Sequence, residues 1–334
     1  MFSLFISIGI SHSPEFGLGH LDIVQKETQT LFQTYGEHPY NLSEPRTCLL
    51  STQYPEWLSK IDDNILLSQL SLPGTHDTCS LYGGFYVETQ ELTLIEQLLA
   101  GVRFLDIRCR HINDIFAIHH GVFYQKIGFG AGVRDVCINF LKDHPTEFIF
   151  MLVKEEYDPD NNTQTFEETM RDYISGYEDF FYLTEKMPTL GEVRGKIVLL
   201  RRFTSGFHPL GNYIDYADDA SFISETTIKC RVQDEYTVST IFTRDDKWDA
   251  MKKLLDEARN SQEISTLYIN YASGAGVGCF PSMVASYTNE KLGNYIHDEQ
   301  PQFIGSLMID FINKYYDELI SNIIYLNNIT NPIV

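Results

Sequence analysis

The chain has 334 residues, 43% of them hydrophobic, enough to bury the core of one large α/β domain or of two modest ones. Its 25 Lys and Arg stand against 46 Asp and Glu, a formal charge of -21 that repels nucleic-acid phosphates and the anionic inner face of a membrane. Nucleic acid is therefore excluded as a partner, and no apolar run approaches the ~18 residues of a membrane span.

Residues 1 to 54 mix Gly, Pro, His and Asn clusters and give no clear element, so they are set apart as an N-terminal extension of unknown role. Their opening, MFSLFISIGISHS, holds a run of about nine mostly apolar residues without a preceding basic residue or a small-residue cleavage pattern. A weak or truncated secretion signal is the expectation drawn from it. That makes an extracellular or secreted protein the first reading of localisation and a cytoplasmic one the second. The Asn-x-Ser/Thr matches at Asn41, Asn161 and Asn328 do not decide between them.

From Trp57 onward, apolar runs of strand length alternate with helical periodicity. The expected strands are Leu70–Leu72, Val102–Arg108, Phe116–His119, Glu147–Val153, Lys196–Arg201, Thr266–Tyr271 and Gly305–Asp310. Amphipathic helices are expected at Leu94–Leu99, around Val133, Val136, Cys137, Phe140 and Leu141, and over Asp246–Arg259. Repeated strand–helix–strand units, with no glycine-rich nucleotide loop after the first strand, predict a TIM-type (β/α) barrel. It is expected to be irregular or incompletely closed and to form a single catalytic domain over residues 55–325. The cysteines Cys48, Cys79, Cys109, Cys137, Cys230 and Cys279 lack metal-like spacing and read as buried small hydrophobes.

Barrel chemistry gathers at the C-terminal ends of the strands. There the sequence puts His76 and Asp77 after Pro73-Gly74, Asp106 and Arg108, the pair His119-His120, then Lys154, Arg202 and Asp310. Each has a plain structural reading: Asp106 could simply be the buried partner of Arg108, and only one of His119 and His120 can face the mouth, because strand side chains alternate. Together they equip a site for phosphodiester cleavage. Two imidazoles can serve as general base and general acid, carboxylates can fix their tautomers, and an arginine can neutralise a phosphate oxygen. The absence of HxxxH or HExxH spacing argues against zinc.

At these residues the sequence resembles the bacterial-type phosphatidylinositol-specific phospholipase C (X-domain) family. The motifs are LPGTHDT (72–78), GVRFLDIRCR (101–110), IHHG (118–121), FLKDHPTEFIFMLVKEEY (140–157), LGEVRGKIVLLRRF (190–203), VQDEY (232–236), LYINYAS (267–273) and MIDFIN (308–313), in order over about residues 55–320. The resemblance implies His76 as general base supported by Asp310, His120 as general acid partnered by Asp77, and Arg108 as the phosphate-stabilising group of metal-independent members. It implies Lys154, Arg202, Asp234 and Tyr236 as inositol-binding residues, with no metal and no cofactor. The implied reaction attacks phosphorus with the inositol 2-hydroxyl and gives inositol 1,2-cyclic phosphate and diacylglycerol, from phosphatidylinositol or a glycosylphosphatidylinositol anchor.

Peripheral contact with lipid needs apolar loops, since the charge opposes it. Two stretches at the expected mouth offer them, Leu81, Phe85 and Tyr86 in one and Val277 and Phe280 in the other, while the exposed tryptophans of bacterial members are missing. A monomer is expected. The competing readings are a metal-dependent glycerophosphodiester phosphodiesterase, which chelation would abolish, and a non-catalytic phosphoinositide-binding module, whose binding would survive His76→Ala.

Overall fold

The computed structural model describes residues 18–36 and 52–328, so the apolar opening run, Asn41 and Cys48 lie outside the described residues. In chain order the elements are α1 (Leu18–Tyr35), β1 (Leu72–Thr75), α2 (Leu94–Ala100), β2 (Phe104–Ile112), β3 (Ile115–His120), β4 (Phe123–Gly128), α3 (Asp135–Asp143), β5 (Ile149–Glu155), α4 (Phe166–Ile174) and β6 (Phe181–Tyr182). There follow α5 (Leu190–Val193), β7 (Ile197–Arg201), β8 (Asn212–Tyr213), β9 (Ala220–Glu225), β10 (Lys229–Asp234), α6 (Arg244–Asn260), β11 (Leu267–Tyr271), α7 (Pro281–Glu299), β12 (Ser306–Ile309) and α8 (Leu319–Tyr325).

The sheet runs β6-β7-β5-β2-β1-β12-β11-β10-β9, parallel throughout except for the β10/β9 hairpin. β8 lies beside β7 at Leu200↔Asn212. No ladder joins β8 to β9 among the described residues. The seam is bridged instead by hydroxyls, with the Tyr213 N–H donating to Thr227 Oγ1 at 2.9 Å and the Asp215 N–H to Ser224 Oγ at 2.9 Å. The structure is thus a (β/α) barrel with one imperfect seam, as expected.

Side-chain alternation along these strands builds the site. Phe104, Phe150, Leu152, Val198, Leu200, Val232, Ile269 and Met308 fill the barrel interior, while their neighbours Leu105, Ile149, Met151, Ile197, Leu199 and Leu307 pack outward against the helices. Two residues beyond an inward apolar position, each strand therefore delivers an inward group at the mouth: Asp106 after Phe104, Lys154 after Leu152, Arg202 after Leu200, Asp234 after Val232, Tyr271 after Ile269 and Asp310 after Met308. Gly74 precedes His76 in the same way. A Cβ there would lie 2.8 Å from the Leu307 carbonyl oxygen and 2.9 Å from Phe104 Cβ, so only glycine lets β1 pass between its neighbours.

Two expectations are corrected. The run Phe116–His119 is not a barrel strand: β3 pairs antiparallel with an extended β2 and with β4, forming a hairpin that projects from the wall. β3 is buried on both faces, as a barrel strand is, so its apolar run could not separate the two. And residues 18–35, which gave no clear element, form α1. Its stripe of half-buried Ile23 and buried Leu31 is interrupted by a buried acid, Glu27, which hides the apolar period.

Candidate active site

β1 ends inward at His76, and the next residue, Asp77, takes a left-handed turn (φ 39°) that swings its carboxylate away from His76. Asp tolerates this conformation better than bulkier residues. Phe311, directly after Asp310, is also left-handed (φ 48°), a conformation a bulky residue adopts only under constraint. Both constrained turns follow directly on inward-facing site residues.

The His76 imidazole bridges two partners. Nδ1 lies 2.7 Å from Asp310 Oδ1, and Nε2 lies 2.7 Å from Arg108 Nη2. A guanidinium can only donate, so Nε2 accepts and the ring proton sits on Nδ1, donated to Asp310. Burial, then the charge of Arg108, holds the His76 pKa well below that of an ordinary imidazole. The ring is therefore neutral at neutral pH with a lone pair on Nε2. Burial drives Asp310 well above the ordinary carboxylate range.

Arg108 is fixed by Asp106, whose Oδ2 accepts from Nε at 3.3 Å and from Nη2 at 3.2 Å, and its Nη1 is 3.6 Å from Asp77 Oδ2. Burial opposes its charge, but Asp106 and Asp77 outweigh it. The second ring, His120, stands at the tip of the β3–β4 hairpin with its centroid 6.5 Å from that of His76 and its plane at 87° to it. Its Nδ1 donates to the Val87 carbonyl at 2.8 Å and lies 3.1 Å from Asp77 Oδ2 and 3.1 Å from Ser80 Oγ. Burial pushes Asp77 up to about 6, against the pull of His120 and Arg108. Among the described residues, both carboxylate oxygens of Asp77, Asp106 Oδ1 and Asp310 Oδ2 accept no hydrogen bond although buried. His76, Asp77, Arg108, His120 and Asp310 are thus gathered into one cluster, whereas His119 faces the opposite side of the hairpin, with Nε2 2.8 Å from the Tyr35 hydroxyl.

Around this cluster Lys154 pairs with Glu156 at 2.7 Å, Arg202 lies over the Tyr216 ring at 3.4 Å, and Asp234 Oδ2 accepts from the Tyr216 hydroxyl at 3.1 Å. Tyr236 stands further out, half-exposed, its hydroxyl donating to Asp218. The two apolar loops meet: Phe85, Tyr86 and Phe280 form one aromatic cluster with centroids 4.2–4.8 Å apart, and Val277 is fully exposed beside it. Leu81 is half-buried, its N–H donating to Gln125.

Sequence reasoning missed three contributors. Glu156 is buried rather than a surface acid; its Oε1 accepts from the Gly121 N–H beside His120, and its pKa falls to about 2 as Arg108 and Lys154 overcome burial. Asn289 of α7 donates to the Asp310 carbonyl at 2.9 Å. Lys247 is buried in α6 and donates to Gln233 Oε1 at 2.8 Å and to the Glu235 carbonyl at 2.9 Å, bracing the segment of Asp234 and Tyr236; burial lowers its pKa to about 8. Its spacing with Met251, Leu254, Leu255 and Ala258, one helical face, was the available signal.

Residues 64–203 match the family described as phosphatidylinositol-specific phospholipase C, X domain. The chain is 33% identical over 303 residues to a 1-phosphatidylinositol phosphodiesterase of Staphylococcus aureus (strain Newman), covering 83% of this chain and 96% of that relative. A relative of the same name from Listeria monocytogenes is 29% identical over 289 residues, covering 81% and 84%. A solved S. aureus phosphatidylinositol-specific phospholipase C superposes with a TM-score of 0.77 at 31% identity, covering 84% of this chain and 99% of that one, and the Listeria enzyme does so with 0.67 at 27%, covering 82% and 99%.

Proposed function

The chain belongs to the phosphatidylinositol-specific phospholipase C family, and on that premise we propose that its barrel mouth cleaves the phosphodiester of phosphatidylinositol by attack of the inositol 2-hydroxyl. His76 Nε2 takes the hydroxyl proton as the new O–P bond forms, while Asp310 stabilises the imidazolium through Nδ1–H. Arg108 turns its charge to a non-bridging phosphate oxygen, a role that elsewhere falls to a divalent ion. As the P–O bond to the glycerol breaks, His120 delivers its Nε2 proton to the diacylglycerol oxygen, with Asp77 beside its Nδ1. The products are inositol 1,2-cyclic phosphate and diacylglycerol, and the nucleophile's place within the substrate supplies part of the rate.

The observation that carries this reading is Arg108 lodged 2.7 Å from one ring's reactive nitrogen, in a cluster whose rings are 6.5 Å apart at right angles. Lys154, Arg202 and Asp234 hold the inositol hydroxyls, and Tyr236 covers the ring. Turnover of soluble short-chain phosphatidylinositol in excess chelator tests the assignment. Activity is expected to persist in the wild type and to vanish in His76→Ala; loss on chelation would overturn the metal-free route.

A glycosylphosphatidylinositol anchor is a second substrate favoured by one observation. A cavity of about 600 Å³ adjoins Lys154 and Arg202 and is lined by Thr165, Glu168, Phe203 and Phe207, a mixture of aromatic and carboxylate groups suited to a sugar on the inositol. Contact with lipid runs through Phe85, Tyr86, Val277 and Phe280, with Leu81 at their base. Ile241 and the strongly exposed Phe242 extend this rim, since Thr240 bridges to Gly278. With a charge of -21, the enzyme suits neutral, outer-leaflet-like surfaces, and it acts outside the cell as a monomer.

A further inference from the structure

We propose that α1 is a positioning arm for the general acid, clamping the β3–β4 hairpin from behind so that His120 is held over the phosphate. The proposal rests on the assignment of His120 above.

The hairpin needs such support. Among the described residues β4 pairs with β3 alone and β3 joins the sheet through the extension of β2, so His120 sits at the tip of a hairpin rather than on the barrel wall. One face of that hairpin packs Phe116 and Ile118 into the core beside Phe129, Phe166 and Tyr173. A two-strand flap is marginal without something packed against its face. On the opposite face, that of Ile115 and Ala117, the cover comes from α1, which precedes every motif shared with the family and the matched residues 64–203.

Contacts at three levels tie the arm down. At the base, the fully buried Glu27 accepts from the Gly130 N–H at 2.9 Å and from the Tyr173 hydroxyl at 2.6 Å. The receiving surface is shaped for this acid: a Cβ on Gly128 would lie 2.3 Å from Glu27 Cδ, and one on Gly130 would lie 2.8 Å from its Oε2. In the middle, Leu31 packs with Ile112, Ile115 and Ala117. At the tip, the Tyr35 ring stacks on Tyr124 at 3.9 Å, and its hydroxyl meets His119 Nε2 at 2.8 Å, one residue from His120. His119 thereby finds its role: it anchors the back of the flap while its neighbour faces the mouth. A shift of about 1 Å at a reacting group costs about 10²-fold in rate, so the arm's grip bears directly on proton delivery.

The choice of leaving group separates positioning from mere stability. An alkoxide leaves only with a proton, whereas an aryl oxide leaves without one, so a displaced general acid slows the lipid selectively. Gly128→Ala, which drives Glu27 out, is expected to cost about 10- to 100-fold in kcat on soluble short-chain phosphatidylinositol and less than about twofold on a nitrophenyl inositol phosphate. Tyr35→Phe removes one hydroxyl from an otherwise intact chain and should show the same selectivity at about threefold. Equal losses on both substrates, or none in Tyr35→Phe, would overturn the proposal. His120→Ala separates the two levels: if it loses both substrates alike, the general-acid assignment itself fails; if it is selective and the arm variants are not, only the arm fails.

Discussion

Arg103 directly precedes β2 and Arg108 lies in its middle, the first fully buried and the second nearly so, both beside a carboxylate, yet only one is finished. Arg103 pairs with Glu147 at 2.8 Å and donates to the carbonyls of Leu98, Val102 and Pro55, each at 2.8 Å. Arg108 shares Asp106 with the Asp77 N–H, spends a donor on His76, and sits near Asp77, Asp106 Oδ1 and Asp310 Oδ2, whose oxygens accept no hydrogen bond among the described residues. At the base of the barrel, charge is closed on itself and holds structure. At the mouth it is left open, and a phosphate with its hydroxyl neighbours would complete it.

Substituting each arginine sharpens this contrast most. Arg108→Met should lower kcat by about 10²–10³ with little change in melting temperature. Arg103→Met strands Glu147 in the core and should cost about 3–5 kcal/mol, a melting point lower by about 10 °C, with normal turnover per folded molecule. Thermal melts and active-site-normalised kinetics of the pair read both. If the two variants behaved alike, the distinction between closed and open charge would break.

Asp77→Asn probes the same open charge from the acid side. With its pKa raised to about 6, folded Asp77 binds its proton more tightly than the unfolded chain does, so its contribution to stability falls as pH rises from the ordinary carboxylate range through about 6. The substitution should therefore stabilise the protein at pH 7 and not at pH 4, while lowering turnover about 10²-fold. His76 has the opposite sign: its lowered pKa means that unfolding takes up a proton below the ordinary imidazole range, so stability declines there as pH falls. Histidine resonances followed by NMR should show His76 protonating well below the ordinary imidazole range.

Smaller effects lie at the edge of the mouth. Lys247→Met should raise KM about tenfold with less effect on kcat, because it frees the segment of Asp234 and Tyr236 rather than the reacting atoms. Smaller still, Phe85→Ser with Phe280→Ser should cut activity on vesicles about tenfold and leave turnover of soluble inositol cyclic phosphate unchanged. Equal losses on both would remove the lipid role of the rim.

The mouth residues were legible because inward apolar positions and polar strand ends follow one period of two. Asp106, read as a partner of Arg108, is that partner. What was not legible depended on buried polar groups: Glu27 in α1 and Thr288 and Asn289 in α7 spoil an apolar period, and Lys247 hides inside a helix that was itself expected. The hairpin was misread because β3 is a continuous buried apolar run like that of a barrel strand and only its pairing partner differs.

The central claim is that two imidazoles and a guanidinium suffice at phosphorus. Phosphorus NMR of phosphatidylinositol vesicles incubated with the enzyme in excess chelator tests it most directly. The account predicts that a five-membered cyclic phosphodiester signal appears first, at the rate seen without chelator; an acyclic inositol phosphate as the first product, or no product at all, would contradict it.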